Sequence, residues 1–156
     1  MMDESVISFD EQNEPIESEL AKYGTYASVT RGPSMRPLFR THRDMVVIKR
    51  IERPLRKYDV VLYTGAHNKY TMHRIIGIKN GVYVIRGDNT YSKEYVVPER
   101  IIGILSEFNR KGKKGSVDSF SFKLYSRVWN FIYPIRFVFY KIKRLLSKIK
   151  RAIFKK

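Results

Sequence analysis

Apolar and polar positions alternate along this 156-residue chain with a period that changes twice. Between Thr25 and Leu105 the apolar residues come in short runs, rich in β-branched and aromatic side chains and closed by turn residues. That pattern predicts strands over Tyr26 to Thr30, Met45 to Ile48, Val60 to Tyr63, Tyr70 to Ile78, Val82 to Ile85 and Ile101 to Leu105. Asn80-Gly81 stands between two of these runs, and an Asn-Gly pair in that setting marks a tight hairpin. Six short strands with almost no helix between them predict a mainly β domain, a coiled antiparallel sheet or barrel.

Outside the strands the spacing lengthens. Ile16, Leu20 and Tyr23 share one face of a short helix, with Asn13 as its cap, Pro15 in its first turn and Gly24 at its end. Residues 1–12 look disordered by composition. After the last strand, Lys111-Gly112-Lys113-Lys114-Gly115-Ser116 reads as part of a linker over residues 110–119. From Leu124 through Val128, Phe131, Ile135, Ile142 and Ile149, apolar residues then recur every three or four positions. This predicts an amphipathic helical tail over residues 120–156, which Pro134 should kink or divide. The expected organisation is an acidic arm (1–24), a β domain (25–109), a linker (110–119) and the tail (120–156).

Charge sharpens this division. The net charge of +16 is made of −7 over residues 1–20, +10 over 21–110 and +13 over 111–156. Segregation of this kind implies an arm that solvates or shields and a tail that seeks an anionic surface. A basic, aromatic-rich amphipathic helix suits a membrane interface, with Trp129, Arg136, Lys141, Lys143, Arg144 and Lys148 as the expected contact residues. No run of about 20 apolar residues is present, so no spanning helix is expected. The acidic N-terminus also lacks the basic flank and apolar core of a signal peptide. The expected location is cytoplasmic, peripheral on the inner face of the cell membrane. The chain has no cysteine, which excludes disulfides and thiolate metal sites. His42, His67 and His73 are too scattered for a zinc pattern, so neither metal nor cofactor is expected.

Candidate chemistry centres on Arg31-Gly32-Pro33-Ser34-Met35-Arg36-Pro37. The prolines push Gly32 and Arg36 away from helical angles and hold Ser34 on a stiff bend. Such a bend suits a nucleophile, although by itself it is also an ordinary proline turn. His73 is the candidate base, since an imidazole titrates near neutral pH; a lone strand histidine is more often a hydrogen-bonded core residue. His42 and His67 compete for the role from a basic turn and a polar loop.

Four boxes occur in order: Ser34-Met35-Arg36-Pro37, Tyr58-Asp59-Val60-Val61, His73-Arg74-Ile75-Ile76-Gly77 and Gly87-Asp88-Asn89. Together they resemble the type I signal peptidase family of serine peptidases, over roughly residues 25 to 105. The resemblance implies a coiled β-fold with Ser34 as nucleophile and His73 as base. Most bacterial members carry lysine at the base position, and histidine is similar to the endoplasmic-reticulum type. In histidine-type relatives an aspartate late in the last box supports the base; the nearest match here is Glu94, with Asp88 as the alternative. Asp88 and Asp59 also read as turn residues that bond nearby backbone.

Many relatives carry a side-chain donor where this chain has Gly32, and a glycine where it has Pro33. The oxyanion hole must then rest on backbone N–H groups such as that of Ser34, with Gly32, Pro33 and Met35 on the substrate side. An extended peptide is expected to add as a strand near His73 and before Ser34. The chain departs from the family in showing no evident N-terminal membrane anchor. The resulting expectation is an endopeptidase that cleaves a leader or membrane-proximal peptide through a Ser-His dyad or triad. The alternative is a non-catalytic basic β-domain that binds anionic membrane or nucleic acid. Nucleic acid is the weaker partner, because a tail that is apolar along one face suits lipid.

Overall fold

A computed structural model of the chain describes residues 15–153, without the side chains of His67, Ala152 and Ile153. The expected cap at Asn13 and the acidic stretch before it lie outside the described residues. Helix α1 (Ile16–Tyr23) starts after Pro15, ends at Gly24 and buries Ile16 and Leu20. The strands follow as β1 (Thr25–Val29), β2 (Met45–Lys49), β3 (Val60–Thr64), β4 (Tyr70–Lys79), β5 (Val82–Arg86), β6 (Glu94–Val96), β7 (Ile101–Arg110) and β8 (Lys113–Ser116). Helices α2 (Phe120–Phe131) and α3 (Tyr133–Ile153) complete the described chain.

All strand pairs are antiparallel and form one sheet in the order β1-β2-β7-β3-β4-β5-β6, with β8 paired to β7. The path has two ends, so the sheet is open and the barrel alternative is not realised among the described residues. Its coiling has a local cause. The register shifts at Val47/Ile48, Leu62/Tyr63 and Ile75/Gly77, and irregularities of this kind bend a strand and raise its twist. Bending leaves an apolar cluster on each face. The middle strand β3 serves both, because side chains alternate along a strand. Val60 and Leu62 join Leu20, Phe39, Ile48 and Leu105 on one face, while Val61 and Tyr63 join Ile75, Ile85 and Ile104 on the other. The β4–β5 hairpin turns at Asn80 (φ 51°) and Gly81 (φ 76°), the left-handed angles that an Asn-Gly pair adopts readily.

One expectation changes. Residues 110–119 contain β8 rather than only linker: Lys111 (φ 55°) and Gly112 (φ 78°) make a two-residue turn. Lys113–Ser116 then ladders onto Glu107 to Arg110, which extends β7 beyond its apolar part. Backbone hydrogen bonding made this strand, and composition did not signal it because its lysines remain in solvent. The tail is divided next to Pro134, as its chemistry demands. The first half of it, α2, is fastened to the sheet. Ser119 caps α2 by accepting from the Phe122 N–H, a contact worth about 1 kcal/mol, and Phe122 is buried beside Phe108 and Phe39.

Candidate active site

Ser34 lies in the bend between β1 and β2, where Gly32 has φ +76° and the Arg36-Pro37 bond is cis. Side-chain hydroxyls tie the bend from both ends. Thr41 donates to the Gly32 carbonyl at 2.8 Å, and Thr30 donates to the carbonyls of Arg40 and Asp44 at 2.9 and 3.0 Å. Asp44 is held in turn by Arg43 and by the backbone N–H groups of Arg40 and Lys111. Behind the bend, Leu38 and Phe39 are buried. So is Met35, at 4% exposure. Met35 was expected on the substrate side; hydrophobic burial takes its side chain into the core, and only its backbone can face a substrate.

His73 stands in β4 and is 6% exposed. Its Nδ1 lies 3.0 Å from the Tyr63 hydroxyl and 3.1 Å from Glu94 Oε1. The β3–β4 ladder sets Val61 opposite His73, which brings Tyr63, two residues on, to the same face; β6 supplies Glu94 from opposite Ile85. An ionised carboxylate only accepts hydrogen bonds, so the bond to Glu94 requires the proton on Nδ1. The lone pair then resides on Nε2. That nitrogen is buried with no hydrogen-bond partner. Burial lowers the His73 pKa from its ordinary value, against opposing pulls from Glu94 and then Asp88, so the ring is neutral at neutral pH. Burial raises the Tyr63 pKa and the neighbouring Glu94 carboxylate raises it further, so its phenol keeps its proton.

Gly87 brings the imidazole and the serine bend together. A Cβ at this position would lie 2.8 Å from the Ser34 carbonyl oxygen and 3.0 Å from both Cδ2 and Nε2 of His73. Only glycine permits that approach. Asn89 reinforces it, its N–H donating to the Ser34 carbonyl at 2.7 Å and its Nδ2 to the Pro33 carbonyl at 3.3 Å. The Ser34 carbonyl and Nε2 thus both lie against one glycine, and Nε2 makes no hydrogen bond to the Ser34 hydroxyl.

The two candidate carboxylates have different surroundings. Glu94 reaches the imidazole. Asp88 is bound bidentately by fully buried Arg74, at 2.8 Å to each oxygen, and also accepts from the Tyr125 hydroxyl at 3.1 Å. Arg74 Nη1 donates to the Tyr58 carbonyl at 3.1 Å and to Ser126 Oγ at 2.6 Å. Asp59 takes the structural part expected of it, accepting two bonds from Arg53 and one from the Arg56 N–H. His42 is exposed in the turn before β2, and His67 belongs to the 3-10 turn Ala66–Asn68 before β4.

The expected membrane residues divide as well. Trp129 Nε1 and Arg136 Nη2 both donate to the Asp88 carbonyl at 2.8 Å, and the Arg136 guanidinium lies 3.6 Å from the Trp129 ring centre. Both are half-buried against the loop that carries Asp88, and they supply the donors that its carbonyl needs where helix and loop meet. Lys141, Lys143, Arg144 and Lys148 are exposed. Tyr63, Asn89 and Ser126 had no sequence signal for their parts. Arg74 did have one, a charge set within an apolar strand beside His73.

Among the described residues, no cluster of three or more His, Asp or Glu could hold a metal, and no helix is long and apolar enough to cross a membrane. The fold defines a mainly antiparallel β domain followed by helices. A scan against protein-family models finds no match, and a search of curated proteins finds none either.

Proposed function

We propose that this chain is a serine endopeptidase of signal-peptidase type, with Ser34 as nucleophile, His73 as base and Glu94 as the carboxylate that orients the imidazole. The observation that carries the reading is His73 Nε2, buried without a partner against the same Gly87 that packs on the Ser34 carbonyl, while Nδ1 faces Glu94 and Tyr63. In the reaction, Ser34 Oγ attacks the scissile carbonyl and its proton passes to Nε2. The bond to the amine then breaks, and the amine leaves with that proton. Water, deprotonated by the same nitrogen, releases the acid and restores the serine. Backbone N–H groups of the bend stabilise the oxyanion, Pro33 contributing none. Catalytic hydrogen bonds are often long in free enzymes and tighten with substrate, which accommodates the missing bond between Nε2 and the Ser34 hydroxyl. β5 pairs with β4 only from Arg74 onward, which leaves an edge at Thr71 and Met72, next to the base, for an extended peptide.

The substrate on this reading is a leader or membrane-proximal peptide, and the enzyme works from the inner face of the cell membrane. Support comes from an exposed apolar stripe that runs from Phe120, Leu124 and Phe131 on α2 to Ile135, Leu146 and Ile149 on α3. Lys141, Lys143, Arg144 and Lys148 are exposed on the same helix, each worth about 1 kcal/mol near anionic headgroups. The test of the activity is cleavage of a library of leader-like peptides in the presence of anionic vesicles. Wild-type chain should cut a subset and Ser34→Ala none. Equal cutting by both would remove Ser34 from the mechanism.

A further inference from the structure

Glu94 follows a loop, residues 87–93 between β5 and β6, that is anchored at Asp88 by Arg74, Tyr125, Trp129 and Arg136 and must then carry the chain on to Glu94. Within the loop the backbone makes one turn, Thr90 N–H to the Gly87 carbonyl, and Asn89 fastens one side to the serine bend. The other side is fastened by α3. The Tyr91 ring stacks on Tyr140 with centroids 4.1 Å apart and planes 17° from parallel, and lies 5.9 Å from Phe137 and 6.1 Å from Tyr133. The Tyr133 hydroxyl donates to the Tyr91 carbonyl at 3.3 Å. Every ring that holds Tyr91 thus comes from a helix beyond the sheet, three residues in sequence from the carboxylate on the base.

We propose that Tyr91, clamped by Tyr133, Phe137 and Tyr140, is a positioning residue for the His73–Glu94 pair, an inference that rests on the peptidase reading above. The clamp touches neither Ser34 nor the imidazole. It acts by fixing where the loop delivers Glu94, and misplacement of an orienting group by about 1 Å is enough to lower turnover up to a hundredfold. Aromatic stacking is suited to the task, because offset rings resist sliding while adding about 0.5–1.5 kcal/mol per pair.

The experiment uses the full chain with Tyr91→Leu and Tyr140→Leu, beside Tyr91→Phe and Tyr140→Phe, which keep the rings. Two readouts are taken: kcat and KM on a cleaved peptide, and the His73 ring titration followed by NMR. The groups that face His73 are Tyr63 from β3, Glu94 from β6 and Asp88 from the loop. Tyr63 stays protonated and Asp88 stays paired with Arg74, so a moved titration reports Glu94. Both leucine variants should lose about tenfold or more in kcat with KM unchanged, and their His73 titration should shift downward, as in Glu94→Gln. Both phenylalanine variants should match the wild type in each readout. An unmoved titration in folded Tyr91→Leu and Tyr140→Leu overturns the proposal. Tyr140→Leu lies outside the loop and keeps the test decisive if Tyr91→Leu fails to fold. If the wild-type chain cleaves no peptide, the peptidase reading falls, and the titration alone decides the positioning.

Discussion

Glu94 and Asp88 are six positions apart in sequence and equal in charge, yet each is already committed to a different partner. Removing the charge of Glu94 takes from His73 the anion that would stabilise a protonated imidazole, whereas removing that of Asp88 leaves the guanidinium of Arg74 buried without its counterion. Glu94→Gln should therefore keep the fold and lower kcat about a hundredfold or more with little change in KM. Asp88→Asn should instead cost about 3–5 kcal/mol of stability, read by denaturant unfolding. The reverse pattern would transfer the orienting role to Asp88. The same pair sets the pH behaviour. Burial holds the His73 pKa below its ordinary 6.5, so the acid limb of kcat/KM should lie below that pH and move lower still in Glu94→Gln. A depressed histidine favours folding while neutral. Its contribution is complete above about 6.5 and is lost as pH falls from there through the folded value. That Ser34 would stand on a bend and His73 in a strand could be read in the sequence, because each sits in a short box with its own local constraint. Tyr63 could not, since nothing in Val60-Val61-Leu62-Tyr63 says that a phenol two residues along the ladder will meet the imidazole.

Between elements, one buried join links β4, the 87–93 loop and α2 through Arg74, Asp88 and Ser126. Ser126 accepts from Arg74 and donates to the Phe122 carbonyl at 2.8 Å, on the helix face opposite the exposed Leu124 and Val128. Ser126→Val should destabilise the protein by about 1–3 kcal/mol by leaving a buried guanidinium N–H short of an acceptor. Leu124→Ala, on the open face, should stay within about 0.5 kcal/mol; equal effects in thermal or denaturant unfolding would mean that α2 is not part of the folded unit. Strand positions were legible because β-branched runs alternate visibly between turn residues. β8 was hidden by its lysines, and the docking of α2 by a double pattern: one helix carries an aliphatic stripe facing out and a second set, Phe122, Ser126 and Trp129, facing in. Periodicity detects that a helix is amphipathic but cannot say which of two stripes meets the sheet. That choice depends on Asp88 and Arg74, distant in sequence.

Across the molecule, α2 and α3 turn one side to the 87–93 loop, through Trp129, Tyr133 and Arg136, and leave an apolar, basic surface on the other. Full-length chain should float with anionic vesicles at low salt, detach as salt rises and ignore neutral vesicles. Reversing Lys141, Lys143, Arg144 and Lys148 to glutamate should abolish flotation without altering the circular dichroism, since all four are exposed. Flotation that is indifferent to vesicle charge or to these reversals would contradict membrane docking through α3. The peptidase reading itself is tested most directly by acylation. With an activated small-acyl ester at neutral pH, followed by peptide mapping by mass spectrometry, the account predicts one acyl group on Ser34, absent in Ser34→Ala and strongly slowed in His73→Ala. No acylation of Ser34, or acylation that proceeds equally without the His73 imidazole, would contradict it.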